Sequence, residues 1–305
     1  MDERAASLLR RYGWEPGRVL GAGMEGEVVD LSEGAVAKIW HHRSPGDLET
    51  LRLFGAALVG SAIPFQCSRV IEILGDGERA ITIERKVSGT PLRLDAQPDP
   101  PLATADEIRL MGDALAGIGR AHSTGLDALP ILPGEQPFDI RRGFADSLAD
   151  LVLKRFDARP EPLRGTIGTI DEAVVGIVRG LRDLPCPEPR SLIHGDLIPA
   201  NVMIVDGEVA GVVDFGFLTT LGDPQFDAAI TASSFDMYGT HARRSENLLT
   251  EAFLSRFDHD ATAYALYRAA YAVITNTYFD PEGRDGHFAW CADLLVREDI
   301  RNAIG

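Results

Sequence analysis

The sequence predicts an α+β chain with a small, β-rich amino-terminal lobe and a larger, helical carboxy-terminal lobe. Three observations predict it. Residues 17–40 read as short strands punctuated by glycines, with GEVVDL and AVAKIW on either side of a Ser32-Glu33-Gly34 turn. The stretch SGTPLRLDAQPDPP at 88–101 is rich in proline and glycine and marks a boundary. Beyond it helical patterns dominate, over about 103–123 and 138–184 and again from 224 onward.

The elements follow in order. A short helical lead precedes the first strands. Ser44-Pro45 then opens a helix, with serine placed to cap and proline at the first turn, and Leu48, Leu51 and Leu58 form its apolar face. RVIEIL and AITIERK read as two strands joined at Gly75-Asp76-Gly77. These elements make up a lobe over residues 1–87. The second lobe spans 88–305, with 88–101 as its connector. Within it NVMIV and EVAGVVDF form a hairpin around Asp206-Gly207, a pair suited to a type I′ turn.

Bulk properties exclude several function classes. At 305 residues, with 45% hydrophobic and 25% charged content, the chain has the composition of a folded domain. No apolar run approaches the roughly 18 residues that a membrane span needs. The leading MDERAASLLRRYGW carries charges throughout and lacks a signal-peptide core. Cys67, Cys186 and Cys291 are scattered and odd in number, which predicts neither disulfides nor a zinc site and suits a reducing cytoplasm. A net charge of −16 disfavours nucleic acid and anionic membranes as partners and favours cationic solutes.

Four spaced motifs carry the chemistry. In Gly21-Ala22-Gly23-Met24-Glu25-Gly26 the glycines lead into a hairpin rather than a helix, so a dinucleotide turn is excluded and a loop closing over phosphates is expected. Lys38, one of only three lysines beside Lys86 and Lys154, falls on the next strand with its side chain facing inward. An inward ammonium needs partners, and it suits α and β phosphates as a compact point charge. Glu49 on the following helix is the expected carboxylate partner, with Asp47 as the competitor. In SLIHGDLIPANVMIV, Asp196 follows His194 by two residues and precedes Asn201 by five. Asp214-Phe215-Gly216 comes eighteen residues after Asp196. Asn201 and Asp214 then flank one hairpin as oxygen ligands for Mg²⁺, and Asp196 can orient an attacking hydroxyl. His194 is read as a structural hydrogen-bonding residue of the loop. Together these features predict a bilobal, protein-kinase-like fold.

HGDLIPANVMIV, VVDFG and GDPQFDAA resemble the signature blocks of the aminoglycoside phosphotransferase and choline-kinase-like family, over Val19 to about Ala229. DALAGIGRAH, ending at His122, is also similar to a helix of that family. The resemblance implies transfer of a γ-phosphate from ATP or GTP, with Mg²⁺, to the hydroxyl of a small molecule. It places adenine at the connector backbone, residues 84–87, with Glu84 and Val87 at its limits. A protein kinase is disfavoured. Gly195 replaces the arginine that would anchor a phosphorylated activation loop, and only six residues separate Gly216 from Asp223.

For the acceptor, the resemblance points to acidic residues after Gly216: Asp223, Asp227, Asp236 and Glu246. A polycationic aminoglycoside suits them, as does choline or another amine; a macrolide also remains open. A metabolite kinase is the alternative, and a non-catalytic nucleotide-binding module the second. Tyr264, Tyr267 and Tyr271, at helical spacing, are expected in the core, while Tyr278 and Trp290 suit either a pocket or packing.

Overall fold

The computed structural model describes all residues except 24, 32–33, 76–78, 95–99 and 187–189. The turn positions expected at Ser32-Glu33 and Asp76-Gly77 lie outside the described residues. The amino-terminal part holds α1 (Glu3–Arg11), β1 (Pro16–Ala22), β2 (Gly26–Leu31), β3 (Ala35–Trp40), α2 (Pro45–Leu58), β4 (Gln66–Cys67), β5 (Val70–Gly75) and β6 (Ala80–Arg85). An antiparallel sheet runs in the order β1-β2-β3-β6-β5.

The period of two along these strands sorts its faces. Val29, Leu31, Ala37, Ile39, Ile81 and Ile83 turn to one side and bury against Ala5, Leu8 and Leu9 of α1. Lys38, Trp40 and Thr82 take the other side, toward α2 and the cleft. The expected capping of α2 is present as a full box, with Ser44 Oγ accepting from Asp47 N–H and the Asp47 carboxylate accepting from Ser44 N–H. Asp47 is thereby used at the helix start and not as a partner of Lys38.

After β7 (Thr90–Pro91) come α3 (Ala105–Ile118), α4 (Phe144–Ala158), α5 (Glu161–Thr166) and α6 (Ile170–Asp183). The segment expected to be helical over 138–184 starts later, at Phe144, and is broken twice, at Arg159-Pro160 and at residues 167–169. Proline lacks the N–H that an uninterrupted helix requires. His122 lies beyond the end of α3 and is exposed. Arg93, from the segment after β7, forms a bidentate pair with Glu107 of α3 and lies over the Phe235 ring, which ties the connector to the helical part.

Next come β8 (Ser191–Ile193), a 3₁₀ turn (Pro199–Asn201), β9 (Val202–Val205), β10 (Glu208–Val212), β11 (Thr220–Gly222), α7 (Pro224–Ser234), α8 (Ala242–Phe257), α9 (Ala261–Thr275), α10 (Gly286–Leu295) and α11 (Glu298–Ile304). Asp206 and Gly207 both have positive φ, 51° and 78°, as a type I′ hairpin requires. The β9–β10 hairpin joins a sheet in the order β4-β10-β9-β7, and β11 pairs with β8. The main core runs through α3, α4, α6, α7 and α9, where Tyr264, Tyr267 and Tyr271 are buried as their spacing predicted. Phe54 of α2 reaches this core and touches Phe215 at 5.6 Å between ring centroids. The strand-rich amino-terminal part is thus pinned to the helices beside the Asp214-Phe215-Gly216 segment.

Candidate active site

Lys38 sits mid-strand in β3, opposite Thr82, and is 8% exposed. Its ammonium rests on the Trp40 ring, 4.0 Å from the centroid, hydrogen-bonds Asp214 and meets Glu25 at 3.3 Å. Burial alone would lower the Lys38 pKa, but the carboxylates of Asp214, Glu25 and Glu84 outweigh it and raise it. Burial would raise the Asp214 carboxyl, and the Lys38 ammonium instead holds it below the ordinary carboxylate range. For Glu84 the balance reverses. Burial keeps its carboxyl above the ordinary range despite the pull of Lys38.

The structure does not bring Glu49 to Lys38. Glu49 turns outward and binds Arg52 on its own helix, with Arg52 Nε at 2.8 Å. The reason is helical phase. Leu48, Phe54, Gly55 and Leu58 occupy the buried face of α2, and a residue one position from Leu48 is rotated off that face. The small pocket around Lys38 is lined from α2 by Leu51, Phe54 and Gly55, and completed by Glu84 and Asp214.

The loop from β8 to β9 is held at its backbone. Asp227, on α7, accepts the N–H groups of His194 and Gly195, each at 2.9 Å. The His194 ring is fully buried 4.5 Å from Phe215, with Nε2 3.0 Å from the Val213 carbonyl and Nδ1 accepting Asp196 N–H. This makes His194 a structural member of the loop, as expected. Thr219 donates to the His194 carbonyl at 2.6 Å and accepts from Gly216 N–H at 2.8 Å, so it clips the loop to the segment after Asp214. Gly195 has φ +86°, and a Cβ there would strike the Phe217 carbonyl at 2.3 Å. Glycine at this position is required by close approach, which is why no arginine stands there.

Asn201 Nδ2 donates to the Asp196 carbonyl at 2.9 Å, which fixes the amide and leaves Oδ1 as its acceptor end. Val213 N–H donates to the Asn201 carbonyl at 3.0 Å, so Asn201 and Asp214 share the open end of the β9–β10 hairpin. Asp214 has φ +68°, a left-handed conformation costing on the order of 1 kcal/mol for a residue other than glycine. Oδ1 of Asn201 and the Asp214 carboxylate form a hard-oxygen pair. Such a pair fits Mg²⁺, which takes few protein ligands and completes its shell with water and phosphate. Among the described residues, no cluster of three His, Cys, Asp or Glu forms a metal cage of its own.

In the glycine-rich hairpin the three glycines differ. A Cβ on Gly26 would hit the Ile39 carbonyl at 2.2 Å, whereas one on Gly21 or Gly23 would meet nothing within 4 Å. Gly26 serves strand packing, and Gly21 and Gly23 keep open space at the hairpin tip. Glu25 binds both Lys38 and, at 2.8 Å, Arg43. The sequence reading missed Glu25, Arg43 and Thr219 at this site; no motif marks them. Val87 is buried against Gly211, at the start of the connector.

The profile of the phosphotransferase enzyme family matches residues 17–272. The chain belongs to this family. No curated protein sequence matches the phosphotransferase. Among solved structures it resembles an aminoglycoside 2′-phosphotransferase variant bound to GDP, at 16% identity and TM-score 0.62, covering 99% of this chain and 98% of that one. It also resembles the macrolide 2′-phosphotransferase MphH of Brachybacterium faecium, at 16% identity and TM-score 0.59, covering 97% and 98%. A third is an aminoglycoside phosphotransferase of Streptomyces rimosus in complex with ADP and streptomycin, at 20% identity and TM-score 0.53, covering 97% and 100%. The α+β, protein-kinase-like fold is therefore the one these structures share, and the phosphotransferase is a small-molecule kinase by family.

The four carboxylates expected at the acceptor, Asp223, Asp227, Asp236 and Glu246, are all bonded within the protein. Asp223 caps α7 and accepts the Tyr267 hydroxyl at 2.7 Å. Asp227 holds the loop described above. Asp236 accepts Gly239 N–H at 3.0 Å. Glu246 is shared by Arg268, Arg297 and Arg243. All four lie below 10% exposure, where a carboxylate must be bonded. Burial raises the phenol of Tyr271, and the Asp196 charge adds to it. Tyr238 is 3.1 Å from His287, whose ring stacks on Trp290. Behind Trp290 lies a cavity of about 400 Å³ lined by Ser233, Met237, Arg243, Glu246 and Arg297.

Proposed function

We propose that this phosphotransferase transfers the γ-phosphate of ATP to a hydroxyl of a small, cationic acceptor. The observation that carries the reading is the convergence of Lys38, Asp214, Asn201 and Asp196 on one cleft, joined by the bonds of Lys38 to Asp214 and of Asn201 to the Asp196 carbonyl. In this reading residues 88–101 connect a nucleotide-binding lobe, residues 1–87, to a catalytic lobe, residues 88–305.

The hairpin of Gly21 and Gly23, packed close on β3 at Gly26, covers the triphosphate, and the connector backbone from Glu84 to Val87 meets the base. Lys38 holds the α and β phosphates. Asn201 and Asp214 hold Mg²⁺, which when bound neutralises charge on the phosphate oxygens. Asp196 accepts the hydrogen bond of the acceptor hydroxyl and aims its oxygen in line with the γ-phosphorus. Asp227, His194 and Thr219 keep that loop in place. Positioning and charge neutralisation supply most of the rate, because phosphoryl transfer asks little covalent help of the protein.

The similar aminoglycoside and macrolide enzymes suggest the first acceptors to try. The internal bonding of Asp223, Asp227, Asp236 and Glu246 supports a second reading over a polycation. A single ammonium, as in an amino alcohol, asks for fewer free carboxylates than a polycation does. The test is Mg²⁺-dependent transfer of labelled phosphate from ATP to streptomycin, kanamycin, a macrolide, choline and ethanolamine, beside Asp196→Ala. Transfer to one class, lost in the variant, is the expected result. Transfer that survives Asp196→Ala overturns the assigned role, and an enzyme that binds no ATP overturns the reading.

A further inference from the structure

The inward ammonium of Lys38 needs an anchor that remains when nucleotide arrives, and α2 offers none. Its cleft-facing side is Leu51, Phe54 and Gly55, and its carboxylate, Glu49, is committed to Arg52 on the outer side. Two of the three carboxylates that act on Lys38 have other duties under the proposed function, on which this inference rests. Glu25 belongs to the loop over the triphosphate and occupies, beside Lys38, space that phosphate oxygens require. Asp214 is the metal ligand.

Glu84 is the third. It lies on β6, the strand paired with β3, in the register Lys38↔Thr82 and Val36↔Glu84. With a period of two, Thr82 and Glu84 share the face of Lys38, Glu84 being its diagonal neighbour. The Thr82 hydroxyl donates to Glu84 at 2.7 Å and accepts the Trp40 indole N–H at 3.0 Å, while the Trp40 ring supports the Lys38 ammonium. Glu84, Thr82, Trp40 and Lys38 thus form one chain of contacts within the sheet, independent of helix position and of the loop. We infer that Glu84 on β6, and not Glu49 on α2, is the positioning residue that holds Lys38 toward the nucleotide phosphates. Because both residues sit on adjacent strands of one sheet, the anchor is permanent and does not wait for a helix to swing in.

The test uses the full chain, whose three lysines make Lys38 separately visible. Protein carrying ¹³C-labelled lysine gives an ε-methylene signal for Lys38, assigned by its loss in Lys38→Arg. Mg·ATP affinity is measured by calorimetry in the wild type, Glu84→Gln, Glu84→Asp and Glu49→Gln. Glutamine keeps the Thr82 hydrogen bond and removes only the charge. The expected result is a shifted and broadened Lys38 signal and about tenfold weaker Mg·ATP binding for Glu84→Gln, equivalent to about 1.4 kcal/mol. Glu84→Asp should recover part of both, and Glu49→Gln should change affinity by less than twofold. Should Glu84→Gln misfold, the Glu84→Asp and Glu49→Gln comparison carries the same decision. Unchanged or tighter binding in Glu84→Gln, or equal losses in Glu49→Gln, overturns the inference while leaving the kinase reading intact. A wild type that binds no ATP overturns both.

Discussion

One lysine faced by three carboxylates and one carboxylate faced by three arginines form two contrasting charge clusters in this molecule. Around Lys38, which with Arg43 makes two cations, the three carboxylates of Asp214, Glu25 and Glu84 leave an excess of negative charge in the cleft. Around Glu246, the guanidiniums of Arg268, Arg297 and Arg243 meet further acids in Asp293 and Asp299, so three cations face three anions. The first cluster is unbalanced and opens to the cleft, as the proposed seat of a divalent cation and a triphosphate requires. The second is balanced among its own members and ties α8, α9, α10 and α11 together. Both contain acidic side chains in a strongly acidic chain. Only their partners separate a site from a scaffold.

Substitutions can break that contrast. The largest effect on activity is expected from Asp196→Asn, a loss of about 10²- to 10⁴-fold in kcat with folding preserved, measured by phosphate transfer and circular dichroism. The largest effect on stability belongs to the balanced cluster. Arg268→Ala removes one of the two buried guanidiniums on Glu246, leaving Arg297 on the other, and should cost about 2 kcal/mol in urea unfolding, whereas the half-exposed Arg243→Ala should cost less than about 1 kcal/mol. If the two cost the same, Glu246 is not held as described.

Between these extremes stands Asp227→Asn, which weakens the acceptor for two loop N–H groups. It should lower stability by about 1–2 kcal/mol and reduce kcat more than nucleotide affinity, because the loop and not the phosphate seat loosens. Glu25→Gln should act in the reverse direction. Removing a carboxylate that competes with phosphate for Lys38 should tighten Mg·ATP binding about threefold, an energy of under 1 kcal/mol, read by calorimetry. Weaker binding would show that Glu25 supports the nucleotide and does not stand in for it.

The smallest effect concerns pH. Burial lowers the pKa of His194 and His259, and lowers His287, which stands beside Tyr238, Thr275 and Cys291 with Asp285 pulling the other way, to about 4. A histidine depressed in the folded state binds its proton more readily when unfolded. Its stabilising contribution is therefore complete above the ordinary value of about 6.5 and is lost as pH falls toward 4. Melting temperature should decline over that window, and His287→Gln should flatten the decline. An unchanged slope in the variant would place the acid sensitivity elsewhere.

By itself the sequence determined the order of the fold and which side chains stand together in its cleft. Period-two alternation placed Lys38 inward, Asp206-Gly207 called for a type I′ turn, and the spacing from Asp196 through Asn201 to Asp214 put two oxygen donors at one end of a hairpin. These are local relations, set by backbone geometry over a few residues, and they survive any packing. Tertiary structure decided the rest. The phase of α2 turned Glu49 away from Lys38, because burying Leu48, Phe54 and Leu58 outweighs aiming one carboxylate. The register of β3 with β6 brought Glu84 to that lysine across more than forty residues of sequence. Asp223, Asp227, Asp236 and Glu246 read as free acids because spacing says nothing about partners. Burial decided their bonding, since a carboxylate withdrawn from water is stable only where N–H, hydroxyl or guanidinium groups already surround it.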